Sequence, residues 1–414
     1  MTVHPALAPA PAPPAPHGRR TRVATVVTRF EAGAGEVALR GALALDPTRY
    51  AVTVVAGSGN RLLTEAADAG LPVVVEPALR SPIVPRDDLR ALRALTAVLT
   101  AQPFDVVHTH SAKAGALGRL AAHHAGVPRI VHTFHGLPYH EFQSAARRCV
   151  FIGIERRLGR FTDVALCVGA AVAVEVVRRR LVEPARVRTI TVTAGGTVTP
   201  RTPATRRRAR ELLGLPLDAP VVGAVGRLAY QKAPEDFVAA LVALRRPEVV
   251  GVWVGGGPLA ERVRTLADRA RPRARVHFVG ERSDVRALLP AFDVFALPSR
   301  YEGLPVAVVE AMACGVPVVA TAVNAVPDVV VPGRTGLLVP PQRPEFLAAA
   351  VGHLLDHPEE ARRMATAATA WLGDRFEDRA LAEALVAAYA PDPDHPVGPT
   401  PRPQTPREFP CAST

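Results

Sequence analysis

The stretch LPSRYEGLPVAVVEAMACGVP, residues 297 to 317, holds a strand end, a glycine turn and a helix start. The apolar run that closes at Leu297 meets Pro298, Gly303 marks the turn, and Pro305 is expected at the first helical position. Strand, turn and helix in that order make half of a βαβ unit, the repeat of a parallel sheet. A helix start leaves backbone N–H groups without internal partners, so the turn Gly303, Leu304, Pro305 is expected to be an anion site opening on a cleft. Glu302 in the turn and Glu310 about one and a half turns into the helix place two acceptors beside it, suited to flank a polyhydroxylated ligand. The plainer alternative is a capped surface helix with two solvated carboxylates.

Working outward, the same rhythm runs through the chain. Short β-branched runs (Val23 to Thr28, Val52 to Val55, Val73 to Val75, Val106 to Thr109, Ile130 to Phe134) alternate with Ala/Leu/Arg-rich helical stretches, such as one from about Glu36 and one over Leu62 to Ala69. A second series begins at Val221 to Val225 and continues through Val250 to Val254, Val276 to Val279, Val294 to Leu297, Val318 to Ala320 and Gly336 to Val339. The reading is α/β, two doubly wound Rossmann-like domains, with a linker near residue 200 where the pattern breaks into Gly, Pro, Thr and Arg. Two such sheets place a ligand in the cleft between their C-terminal strand ends.

Composition narrows the class. At 414 residues, 48% hydrophobic and 21% charged, the chain is globular, with room for two or three domains. Residues 1 to 18, with six prolines, and 391 to 414, with eight, are expected to be disordered tails. Neither a spanning helix nor a secretory signal is supported, and a cytoplasmic protein is expected. Cys149, Cys167, Cys314 and Cys411 form no C-x-x-C pair and are expected to be small core hydrophobes and one tail thiol. The net charge of +12 favours anionic partners. Only two of the 50 basic residues are lysines, Lys113 and Lys232, which draws notice to both as positions suited to a compact ammonium.

The segment 297 to 317 resembles the family 4 glycosyltransferases of the GT-B fold, whose signature is an E-x7-E pair within E-G-L-P and E-A-M-A-C-G-x-P; Glu302 and Glu310 match it in type and spacing. Gly226-Arg227-Leu228 with Lys232 is similar to the family's G-R-L-x-x-x-K turn, implying that Arg227 and Lys232 hold the diphosphate of a nucleotide-sugar donor. Phe278 to Val285 looks like the base-contacting loop, which implies Arg282 and Val285 as further donor contacts. In related transferases the histidine of an H-G turn faces the donor sugar, a role that falls on His135. Residues 361 to 390 look like the family's C-terminal helices, the last crossing back to the N-terminal domain. The implied organisation is an acceptor domain over 19 to 200, a donor domain over 201 to 372 and a returning helix over 373 to 390.

Other readings remain beside this one. Gly33-Ala34-Gly35 after the first strand mimics a dinucleotide fingerprint, yet no acid closes the second strand; in the family this loop shapes the acceptor cleft, which makes Gly33 and Gly35 acceptor-side candidates, and Lys113, opening a helix at a strand end where it could meet a substrate charge, is a third. Seven of the 13 histidines lie between 108 and 140, and His108 and His110 would share a strand face as zinc ligands can, but no H-x-H-x-D-H arrangement follows. The clusters Arg178 to Arg180 and Arg206 to Arg210 lack the interleaved aromatics of single-strand binding, so nucleic acid is not expected; a solvated Arg-rich face or contact with an anionic membrane is. Two departures from the family stand out: Thr193 to Thr197 in place of an N-G-x-D turn, and Asn324 to Asp328 in place of G-G-x-P-E.

The resemblance implies a retaining transfer of a sugar from a UDP- or GDP-linked donor to a hydroxyl on a sugar, lipid-linked or small-molecule acceptor, in polysaccharide, glycolipid or glycoconjugate synthesis. Arg227, Lys232 and the turn at Gly303 to Pro305 would neutralise the departing diphosphate, so neither metal nor cofactor is called for. Glu302 would hold sugar hydroxyls, Glu310 the ribose and His135 the outer sugar hydroxyls, which makes His135, Arg227, Lys232 and Glu302 the catalytic set. The rivals are a GT-B epimerase, an NAD(P)-dependent oxidoreductase and a non-catalytic sensor of sugar nucleotides.

Overall fold

Among the described residues the alternation resolves into thirteen strands, all parallel, in two sheets. The structure, a computed structural model, describes residues 19–31, 33–139, 143–191, 198–270, 274–303 and 305–391. The first sheet holds β1 (Thr21–Phe30), β2 (Tyr50–Gly59), β3 (Val73–Val75), β4 (Val106–His110), β5 (Arg129–Phe134), β6 (Val164–Val168) and β7 (Val187–Ile190), in the order β3-β2-β1-β4-β5-β6-β7. The second holds β8 (Val221–Val225), β9 (Val250–Val254), β10 (Arg275–Gly280), β11 (Val294–Leu297), β12 (Val318–Thr321) and β13 (Leu337–Val339), in the order β10-β9-β8-β11-β12-β13.

Each expected strand is present, most with ends moved by a residue or two. Two were missed, β6 and β7, on the far flank of the first sheet. The sequence Val187-Arg188-Thr189-Ile190 carries two exposed polar residues between apolar ends at the sheet's edge, so it lacks the continuous apolar run of a strand covered on both sides, whereas β6, Val164-Ala165-Leu166-Cys167-Val168, is such a buried run and was passed over. The tails 1–18 and 392–414, and the junction Thr193 to Thr197, lie outside the described residues.

In both sheets the strand order reverses direction once, between β1 and β4 and between β8 and β11. Chains leaving these neighbouring strands diverge to opposite faces and open a crevice at their C-terminal ends. Val26 shows how tightly register is held: it pairs with Val55 on one side and Thr109 on the other and is fully buried. Trp253 in β9 is buried edge-on to Phe237, ring centroids 5.4 Å apart, and donates its indole N–H to the Gly226 carbonyl at 2.8 Å, linking the core to the loop after β8. Such side chains supply about 1.5–3 kcal/mol each on burial.

The last helix, Asp378–Tyr389, leaves the second sheet and packs Leu381, Leu385, Ala388 and Tyr389 into the apolar core beside β1, β4 and β5 of the first. A second bridge is polar: the Asp328 carboxylate accepts from the N–H of Ala171, 3.2 Å away, at the start of the helix Ala170–Arg178. An acid is favoured there by the helix dipole. The short acid at a departure from the family pattern thus joins the two halves.

Two expectations about side chains are corrected. Cys149 is exposed, on the outer face of the helix Ala145–Leu158, whereas Cys167 and Cys314 are buried and their thiols are pushed up to about 12. Arg206 and Arg210 are no solvated face: Asp293 accepts from Arg201 at 2.7 Å, Arg206 at 3.2 Å and Arg210 at 2.7 Å, and the Arg210 side chain is fully buried. Arg210 also satisfies the carbonyls of Ala291, Pro216, Leu217 and Ala219, so this cluster holds the start of the second domain together. Among the described residues no helix is long and apolar enough to cross a membrane.

Candidate active site

Several of the residues singled out from sequence lie on the loops that leave β1, β5, β8 and β11. After β8 the chain passes through Gly226 and Arg227 and turns at Tyr230–Lys232. Gly257, from the loop after β9, lies against this turn; a Cβ there would come 2.5 Å from the Leu228 carbonyl oxygen at a φ of +149°, so only glycine permits the approach. The loop after β11 is fastened to the same turn. Arg300 donates its backbone N–H to the Gln231 carbonyl and its guanidinium to the Tyr230 carbonyl, each at 2.8 Å, and stacks 4.4 Å above the Tyr230 ring.

This fastening brings Lys232 and Glu302 together. The ammonium of Lys232 donates to Oε1 of Glu302 at 2.6 Å, the Ser299 hydroxyl donates to the same oxygen at 2.5 Å, and Gln231 approaches Oε2 at 3.4 Å. The Glu302 backbone N–H is taken by Oδ1 of Asn324 at 2.9 Å. Glu302 is therefore buried as a carboxylate with a fixed orientation. An ammonium has three donors, so Lys232 can hold Glu302 and still keep donors for a further acceptor.

The helix after this loop is Val306–Cys314, and Pro305 is its cap rather than its first residue. Proline has no N–H, and the Pro305 carbonyl accepts from Val308 and Val309, so the donors available to an anion are those of Val306 and Ala307. The helix therefore begins one residue later than the sequence suggested. Leu304 lies outside the described residues. Arg227 is exposed on the crevice wall, and its charge is disfavoured first by partial desolvation there and next by the guanidinium of Arg29 at the end of β1; two cations near one another at the crevice suit a bound anion.

Glu310 lies inside the helix, paired at 3.0 Å with Arg286, which in turn comes within 3.8 Å of Glu36 in the other half. Burial raises its carboxyl to about 6 despite Arg286. Val285 begins the short helix that carries Arg286. Arg282 is placed differently: its guanidinium makes an exposed bidentate pair with Asp284, at 2.7 and 2.6 Å.

On the other wall, Gly33 caps the helix Ala34–Ala44 at a φ of +66°, and Gly35 sits against the Phe30 backbone. The ammonium of Lys113 is bound to Asp88 and to the Pro82 carbonyl, which places its charge on a segment of its own domain. His135 and Gly136 follow β5 and touch the opposite loop: a Cβ on Gly303 would lie 2.8 Å from the His135 carbonyl carbon and 3.5 Å from the Gly136 nitrogen. The backbone segments that carry Glu302 and His135 thereby touch across the cleft. Among the described residues no group of three or more His, Cys, Asp or Glu is placed to hold a metal ion. Sequence reading missed Ser299, Gln231, Asn324 and Arg286, since a hydroxyl, two amides and one arginine among many carry no signal until the loops are folded together.

Residues 205–371 match the family described as Glycosyl transferases group 1, and residues 32–191 match Glycosyltransferase Family 4. The UDP-Gal:alpha-D-GlcNAc-diphosphoundecaprenol alpha-1,3-galactosyltransferase of Escherichia coli is 31% identical over 269 residues, 63% of this chain and 69% of that protein. Alpha-maltose-1-phosphate synthase of Mycolicibacterium smegmatis is 32% identical over 315 residues, 71% of this chain and 81% of the relative. Among solved structures, Anabaena HepE in complex with UDP and glucose superposes with a TM-score of 0.76 at 21% identity, covering 89% of this chain and 99% of that one. The two-sheet arrangement is thus the fold of that protein.

Proposed function

This chain belongs to the family 4 glycosyltransferases, and from that premise we propose that it moves a hexose from a UDP-sugar, with retention, to a hydroxyl of a lipid-linked or soluble saccharide. The observation that carries the reading is the convergence of Arg227, Lys232, Glu302 and the Val306 helix start at one crevice, facing His135 from the other. UDP is favoured over GDP because the E. coli relative is named for UDP-Gal and HepE is described with UDP and glucose. The half before residue 200 takes the acceptor and residues 201 to 372 take the donor.

Departure of the diphosphate is the costly step, and the cations and N–H dipoles are already aimed where its charge develops. Glu302, held by Lys232 and Ser299, accepts from sugar hydroxyls and Glu310 from the ribose, while His135 steadies the outer hydroxyls. No carboxylate is assigned as a nucleophile; the acceptor hydroxyl attacks on the face the diphosphate leaves and passes its proton to a donor phosphate oxygen. The acceptor side works in the cytoplasm at an anionic membrane. In support, the helix Ala145–Leu158 lines Arg147, Val150, Ile154 and Arg157 along one outward stripe, with Val150 61% exposed.

A thermal-shift panel of UDP, GDP, ADP, NAD and NADP without divalent ions tests the donor. UDP is expected to stabilise the protein, by about 2.7 kcal/mol at 100 times its dissociation constant. A shift with NAD or NADP alone would overturn the reading, and one with GDP alone would replace the base. Release of UDP only when a saccharide acceptor is present separates transfer from epimerisation and from sensing.

A further inference from the structure

Behind His135, at the ends of β4 and β5, three more histidines are buried. His108 is closed at both nitrogens: Nδ1 meets the Tyr389 hydroxyl at 2.7 Å and Nε2 meets the Thr133 hydroxyl at 2.7 Å. His132 holds the Thr109 hydroxyl at 2.8 Å. His110 is different. Its Nδ1 lies 2.9 Å from Nε2 of His135, and its own Nε2 is buried with no hydrogen-bond partner. Its ring rests on that of His108, centroids 4.1 Å apart.

Burial holds His135 down at about 4 and His110 well below its usual value, so both rings are neutral at pH 7. A neutral pair sharing one hydrogen bond has two arrangements. If His135 donated from Nε2, His110 would carry its proton on Nε2, as a buried N–H with no acceptor. If His110 donates from Nδ1, the orphan is only a lone pair. A buried, unpaired N–H is the costlier of the two. His110 is therefore the donor, and His135 must carry its own proton on Nδ1.

We propose that His110 is a positioning residue that locks the tautomer and ring orientation of His135, leaving Nδ1–H as the ring donor offered to the sugar of the nucleotide donor. The consequence for substrate rests on the role given to His135 above; the tautomer itself does not. Tyr389 extends the device: from the returning helix it pins His108, which backs His110, so helix docking and the cleft histidine are connected through three rings.

The test is long-range 15N–1H NMR of the full chain labelled at histidine, with His135→Gln used to assign the His135 signals. The wild type is expected to show His135 protonated at Nδ1, and His110→Leu to move it toward the Nε2–H form that free imidazole prefers. His110→Asn, whose amide N–H can stand at the Nδ1 position, is expected to restore the wild-type pattern. A wild-type His135 protonated at Nε2, or a tautomer indifferent to His110→Leu, overturns the proposal. In turnover, His110→Leu is expected to lower kcat roughly 10- to 100-fold with the stabilisation by UDP unchanged. His110→Asn should recover most of kcat, and His110→Gln, whose amide falls at the Nε2 position, should not; equal rates for Asn and Gln would also refute it. If the wild type neither binds UDP nor turns over, the functional reading fails, while the NMR result still decides the tautomer.

Discussion

Replacing Gly303 by alanine tests whether the two walls of the cleft must meet as they do here. The backbone at Gly303 is not in the left-handed region, so an L-residue is allowed and only space opposes the methyl. That methyl would lie 2.8 Å from the His135 carbonyl carbon and nearer still to its oxygen, inside the shortest separation that Cβ atoms adopt. The loops must part by roughly 1 Å, and Glu302, next in sequence, moves away from His135. A 1 Å misplacement of groups that must act together costs about 100-fold, or about 2.7 kcal/mol of barrier. Steady-state UDP release with a saccharide acceptor should therefore show kcat of Gly303→Ala reduced about 100-fold. UDP affinity should change little, because Arg227, Lys232 and Glu310 all lie in the second domain. The atoms the methyl meets are backbone and cannot give as the end of a flexible side chain would, so thermal stability should fall by about 1–3 kcal/mol. A kcat within threefold of wild type would refute the reasoning, as would a loss of stability well beyond that range, which would mean that the loop contact supports the fold rather than the site.

Glu310 makes a pH prediction. Its carboxyl is raised from 4.5 to about 6, so folding bears a cost that is absent below pH 4.5, grows as pH rises, and is complete above 6, at about 2 kcal/mol. Glu310→Gln should raise the melting temperature at pH 7.5 and leave it little changed at pH 4.5; the wild type's UDP affinity is expected to fall below pH 6 and that of Glu310→Gln to lose this dependence, and a wild-type affinity flat from pH 5 to 8 would contradict this. Lys232→Arg preserves charge but replaces a three-donor ammonium with a planar fork beside Ser299 and Glu302; kcat should fall by roughly 100-fold, and near-normal turnover would show that charge alone suffices. Arg210→Ala strips Asp293 and four carbonyls of a buried donor and should cost about 3–5 kcal/mol in denaturant unfolding, with no effect on binding to anionic vesicles; a loss of vesicle binding without a loss of stability would restore this cluster to the surface.

The parallel sheets were legible because a strand covered on both faces must be written as a short continuous apolar run, and Val221 to Val225 or Val250 to Val254 can be read as nothing else. Glu302 and Glu310 were legible for a related reason: strand end, glycine, proline and helix lie within one local segment, and local geometry follows local sequence. Even there the cap fell one residue late, since a turn's exact φ and ψ depend on what the turn rests against. Partnership across the chain left no such trace. Lys232 and Glu302 are 70 residues apart, Arg286 and Glu36 are far more distant, and His110 gains its meaning from His135, one strand over, and from Tyr389, 281 residues beyond His108. Patterning is a property of neighbours along the backbone, so it announces strands, helices and turns. Which nitrogen carries a proton, which carboxylate an ammonium holds, and where two loops touch arise only when packing brings distant segments within 3 Å of one another.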